Sequence, residues 1–222
     1  MELEELKRLS AINEKAILSK TIDPLGTEYD IVKDFIVGLS TLRISTREIK
    51  IPGITRNMDL VIKAVAEFKD KKKRNIMPIQ YAKSDDIVVE SVARPQIFGL
   101  TSFTKTTSSS APSVENIIPQ ASGSFSVDDD ELIIITDWIE LEPDAPIVEL
   151  QGTIDGTDQY PVSCRLPFKA TDLHLFELDF PWIADVSLDI DGRSETASAT
   201  TTLVPIGVHV CLGKLVKSLV PS

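Results

Sequence analysis

The chain has 222 residues, 42% of them hydrophobic and 26% charged, with a formal net charge of −11. So large an apolar share excludes wholesale disorder, and the length allows one large domain or two modest ones. No run of 18 uncharged apolar residues occurs, so no bilayer-spanning helix is expected, and the acidic opening Met1-Glu2-Leu3-Glu4-Glu5 lacks the apolar stretch of a secretory signal.

The first predicted element is an amphipathic helix. Leu3, Leu6, Leu9, Ile12, Ala16 and Ile17 recur at spacings of three and four, and Asp23-Pro24-Leu25-Gly26 ends the pattern. A terminal helix of this length needs something to dock on, either its own domain or a neighbouring subunit, so Leu3, Leu6, Leu9, Ile12 and Ile17 are candidate assembly residues. Strand-like runs follow at Tyr29–Val37, Ser40–Ile51 and Asp86–Val92. Between the last two, a second helix reads from Asn57, a candidate N-cap, through Met58, Val61, Ile62, Val65 and Phe68. It ends in Lys69-Asp70-Lys71-Lys72-Lys73-Arg74, where cations suit the helix dipole. A single basic cluster without interleaved aromatics does not predict nucleic-acid binding.

Charge divides the chain. Residues 1–105 carry 18 Lys/Arg against 15 Asp/Glu, and residues 106–222 carry 5 against 19. The change falls in the polar Ser/Thr stretch Thr101–Ser113, which reads as a linker or exposed loop. Two regions are therefore predicted: an N-terminal α/β assembly region over 1–105 and an acidic β domain over 106–222.

From Val114 onward β-type runs recur at short intervals: Val114–Ile118, Ser124–Val127, Glu131–Leu141, Ile147–Ile154, Tyr160–Leu166, Leu173–Asp179, Asp185–Ile190, Thr196–Leu203 and Gly207–Val216. None of them sustains a helical period. Asp155-Gly156 and Asp191-Gly192 are flanked by extended residues and predict two-residue type I′ hairpins, because both turn positions need positive φ. Val186, Leu188 and Ile190 alternate with Ser187, Asp189 and Asp191, as on a sheet with one buried and one wet face. The predicted fold is mainly β, with α structure confined to the N-terminal part and a C-terminal antiparallel sandwich, immunoglobulin-like or jelly-roll-like. Ile133, Ile134, Ile135 and Trp138 belong to its core.

The stock of chemically distinctive residues is small. Cys164 and Cys211 lie in apolar strand-like runs and read as buried free thiols, with a disulfide open if their strands adjoin. His209 alternates with Val208 and Val210 and reads as the other face of a strand. Asp128-Asp129-Asp130-Glu131 and the series Asp189, Asp191, Glu195 are acidic constellations. They read as surface turns, with Asp128, Asp130, Asp189 and Asp191 as candidate calcium ligands. Trp138, Tyr160 and Trp182 are candidate aromatics for a glycan-binding face, provided they are exposed. Phosphate-loop, dinucleotide, nucleophile-elbow and zinc-protease motifs are all missing from the sequence. With no cofactor implied beyond calcium, a non-enzymatic protein is predicted.

The segment from Gln120 to Trp138 has a short Phe-x-Val strand, a tight turn and a long apolar strand ending at Thr136-Asp137. Together with Thr200–Val210, it resembles the β-sandwich structural proteins of viruses and phages. The resemblance covers the C-terminal half. It implies a virion location and a capsid, vertex, turret or tail subunit that assembles with itself and with other virion proteins. It transfers no catalytic residue. The alternative is a module that binds a host-surface glycan, and a chain that is not viral would be expected in the cytoplasm.

Overall fold

The computed structural model describes residues 52–77, 82–142, 144–164, 168–170 and 173–215. The terminal helix of Leu3, Leu6, Leu9, Ile12 and Ile17, with the strands expected over 29–37 and 40–51, lies outside the described residues. In chain order the elements are helix α1 (Pro52–Lys72) and strands β1 (Ile87–Ser91), β2 (Thr104–Thr106), β3 (Ser113–Ile118), β4 (Phe125–Ser126), β5 (Glu131–Glu140), β6 (Ile147–Ile154), β7 (Thr157–Asp158), β8 (Val162–Ser163), β9 (Phe168–Ala170), β10 (Leu173–Ala184), β11 (Ser187–Ser194) and β12 (Thr200–Leu212).

The strands form two sheets in which all the ladders are antiparallel. One runs β1-β12-β5-β10-β9, with β2 added on β12; the other runs β3-β11-β6-β7, with β4 on β11 and β8 on β6. The first strand thus lies beside the last, and successive long strands cross from one sheet to the other. Such paired Greek keys make a jelly roll.

The core follows from burial patterns. Ile133 and Ile135 of β5 point between the sheets, with Trp138, Leu150, Phe176, Leu178, Trp182, Leu188 and Ile190. Leu132 and Ile134 point the other way, where Val61, Val65 and Phe68 of α1 cover Ile87, Val89, Val208 and Val210. The sheet holding β5 is therefore covered on both faces, which explains an unbroken run of three isoleucines where a half-exposed strand would alternate. The outer sheet does alternate: in β11, Leu188 and Ile190 are buried, while Ser187, Asp189 and Asp191 are only half-buried.

Several sequence expectations change. Asn57 is not an N-cap: α1 begins at Pro52, and the buried Asn57 amide donates to the Leu178 carbonyl at 3.2 Å, pinning the helix to β10. The Ser/Thr stretch proposed as a boundary is crossed by the sheet, since β1 and β2 pair with β12 and Phe103 is in the core. Thr196–Leu203 and Gly207–Val216 are not two strands. They merge in β12, with one register shift at Ile206/Gly207. Asp155-Gly156 does form the predicted hairpin, pairing Ile154 with Thr157 at φ values of 50° and 74°. Asp191-Gly192 does not. Gly192 lies inside β11, paired with Leu150, and a Cβ there would press on Ile117 at 3.0 Å and Ile147 at 3.2 Å. This glycine makes room for neighbouring side chains and turns nothing.

Candidate functional site

Of the three candidate aromatics, two are in the wrong place for a ligand. Trp138 and Trp182 are buried and meet edge to face, with ring centroids 6.3 Å apart. Their large apolar surface is spent on the sandwich interior, where a Cβ at Gly152 of β6 would press on the Trp182 ring at 3.2 Å. Tyr160 is 94% exposed, and Phe180, in the irregular part of β10 between Glu177 and Trp182, is 74% exposed.

The four candidate calcium ligands do not gather. Asp130 accepts from Lys214 at 3.0 Å on one oxygen and from Lys72 at 3.3 Å on the other, and these bonds, Lys214's first, hold its carboxyl below the usual range. Its turn thereby ties the end of α1 to the segment after β12. The Asp128 carbonyl accepts from the Glu131 amide at 2.8 Å and closes the turn. Asp189 and Asp191 sit two apart on the outer face of β11. Burial raises both carboxyls, and the charge of Asp191 raises Asp189 further. Among the described residues, one group of three or more His, Cys, Asp or Glu side chains is close enough to hold a metal ion, and it contains none of these four.

That group is Glu90, His209 and Cys211, all buried, with ligand-capable atoms within 4.8 Å of one another. Sheet register assembles it. Glu90 of β1 lies opposite His209 of β12, and Cys211, two residues on, lies opposite Val88 on one side and Glu131 of β5 on the other. Residues two apart share a face, so Glu90, His209, Cys211 and Glu131 converge from three adjacent strands. His209 Nδ1 is 3.0 Å from Glu90 Oε1, and Arg94 Nη1 donates to Glu90 Oε2 at 3.0 Å. His209 Nε2 is 3.6 Å from Glu131 Oε1, too long for a hydrogen bond, and has no hydrogen-bond partner. Burial alone would depress the imidazole pKa, but Cys211, Glu131 and Glu90 together hold it well above its ordinary value. Burial pushes the Cys211 thiol up, with His209 opposing. Ala82 and Leu215 pack over Val88 and Cys211.

Both cysteines are free and buried, as expected, and Cys164 belongs to the inter-sheet core. The sequence reading did not foresee that Cys211 sits beside a charged group, nor that Glu90 and Glu131 complete the set. The available signal was a His and a Cys two apart in an apolar strand, and a lone Glu inside Ile87-Val88-Val89-Glu90-Ser91, whose five residues are all buried. The basic cluster after Phe68 serves ion pairs: Lys71 reaches Asp185 at 3.4 Å and Lys72 reaches Asp130.

The fold defines a jelly-roll β-sandwich. No protein-family model and no curated protein matches the chain. Two solved structures are similar over part of it. The infectious bursal disease virus VP2 subviral particle shares 12% identity over 59% of this chain and 34% of that chain, with a TM-score of 0.30. The structure of the infectious bursal disease virus Gt strain shares 12% over 58% of this chain and 32% of that chain, with a TM-score of 0.28. The chain thus spans about a third of the length of the chains it matches. No helix among the described residues is long and apolar enough to cross a membrane.

Proposed function

We propose that the chain is a structural subunit of a virus particle, located in the virion and acting by assembly with copies of itself and with other virion proteins. The observation that carries this reading is the strand order: β1-β12-β5-β10 facing β3-β11-β6-β7 is the jelly roll used by capsid and lectin domains. The space between the sheets supports it, because Trp138, Trp182, Phe176 and the aliphatic residues around them fill it as packing. The exposed Phe180, Val186, Val114 and Tyr160 supply apolar contact points for neighbouring copies, and the acidic outer face keeps unassembled copies apart. Negative-stain electron microscopy of concentrated full-length protein tests the reading. Regular rings, sheets or shells are expected, weakened by Phe180→Asp; a field of dispersed single particles would refute it.

The second reading, binding of a host-surface glycan, keeps one of its three aromatics, the exposed Tyr160. A glycan array comparing the protein with Tyr160→Ala decides it: signal lost in the variant supports binding, and uniform absence of signal ends it.

A further inference from the structure

We propose that the convergence of Glu90, His209, Cys211 and Glu131 is a zinc site, built across β1, β12 and β5. An imidazole, a thiol and carboxylates meet within the sheet, and the ligand-capable atoms of Glu90, His209 and Cys211, all buried, lie within 4.8 Å of one another. That donor set selects among metals. Calcium and magnesium take oxygen ligands, whereas zinc is held by mixtures of thiolate, imidazole and carboxylate.

The hydrogen bonds assign the roles. Once a metal displaces the proton on Nε2, the His209 ring, with Nδ1 held 3.0 Å from Glu90 Oε1, turns its lone pair on Nε2 to the metal. That nitrogen is buried, has no hydrogen-bond partner and faces Glu131. A carboxylate gripping the far nitrogen of a histidine is the usual support of a metal-binding imidazole. Glu90 is itself steadied by Arg94 at 3.0 Å. Of the compact trio, His209 Nε2 and the Cys211 thiolate are the ligands and Glu90 is a positioning residue; Glu131, outside the trio but 3.6 Å from Nε2, supplies the third donor by turning its carboxylate to the metal. Glu131, 15% exposed against 1% for His209, lies on the side of the cluster nearer solvent. Zinc binding releases the thiol proton and any proton on Nε2, so affinity rises with pH.

The test is titration of chelator-treated full-length protein with zinc chloride alone, read by elemental analysis and melting temperature. One zinc per chain is expected, with a rise of roughly 5–10 °C at a hundredfold excess over Kd. Cobalt substituted for zinc is expected to give a thiolate-to-cobalt charge-transfer band. Cys211→Ser should abolish the band, Glu131→Gln should weaken zinc binding at least about tenfold, and Cys164→Ser should change neither. Should Cys211→Ser fail to fold, Glu131→Gln, at the more exposed ligand, carries the test. Absence of retained zinc and of any melting shift in the unmodified protein would overturn the proposal. So would unchanged binding in Glu131→Gln, or loss of the band in Cys164→Ser instead.

Discussion

Glu140, at the end of β5, is fully buried beside the start of β12. Its carboxylate accepts from the Thr201 hydroxyl, from the Thr202 amide at 2.8 Å and from the Glu142 amide at 3.1 Å. Burial nonetheless raises its pKa above the ordinary glutamate value, the hydrogen bonds offsetting only part of the desolvation. The folded state therefore holds this proton more tightly than the unfolded chain does. The stabilisation is complete below the unfolded value and is lost as pH rises through the folded one. Urea denaturation of Glu140→Gln should remove a decline in stability that begins near pH 4.5 and continues upward; identical slopes in the two proteins would contradict this. Asp130, held low by Lys214 and Lys72, acts in the opposite sense and loses its contribution as pH falls. Gly207 carries a second expectation. It adopts φ of 151°, and a Cβ there would be driven into the Ile134 carbonyl. Gly207→Ala should cost at least about 3 kcal/mol in denaturant melts. At this scale the sequence identified the core isoleucines and the buried thiols. It placed Trp138 in the core with those isoleucines, yet kept Trp138 and Trp182 as candidates for an exposed face, because a tryptophan in a strand reads the same on either face until the partner sheet is known.

Elements were legible where their signals are local. The Asp155-Gly156 hairpin closes within four residues, and the Asp155 carboxylate also accepts from the Val186 and Ser187 amides at 2.9 and 2.8 Å, stitching the next turn. The same dipeptide at Asp191-Gly192 was misread because its cause is remote: Ile117 from β3 and Ile147 from β6 need the space a side chain would take. β12 was split in two because Pro205 and Gly207 interrupt its pattern, while pairing with β5 on both sides of the break keeps it one strand. Helix α1 was found by its period, yet its start was missed because the buried bond of Asn57 to β10 is tertiary. Docking of α1 has a direct check. Phe68 is 4% exposed and packs against the β1-β12-β5 layer. Phe68→Ala should lower the denaturation free energy by about 3–5 kcal/mol, and a change below 1 kcal/mol would mean the helix contributes little.

Across the whole molecule, charge pattern proved a poor guide to boundaries. The excess of acids begins near residue 106, but the jelly roll takes its first strand from residues 87–91, on the basic side of that divide. Charge reports which surfaces face solvent and which face ion partners, as where Lys71 and Lys72 of α1 meet Asp185 and Asp130 of the sandwich. Topology came from long-range pairing, β1 with β12 above all, which no window of sequence contains. The buried cluster of Glu90, His209, Cys211 and Glu131 is a product of that pairing, and so was invisible residue by residue. Under the function proposed above, this packed jelly roll joins copies of its own kind. Multi-angle light scattering of the full-length protein over a rising concentration series tests this most directly. A mass that climbs to a defined multiple of the monomer is the predicted result, and a constant monomer mass up to high micromolar concentration would contradict it.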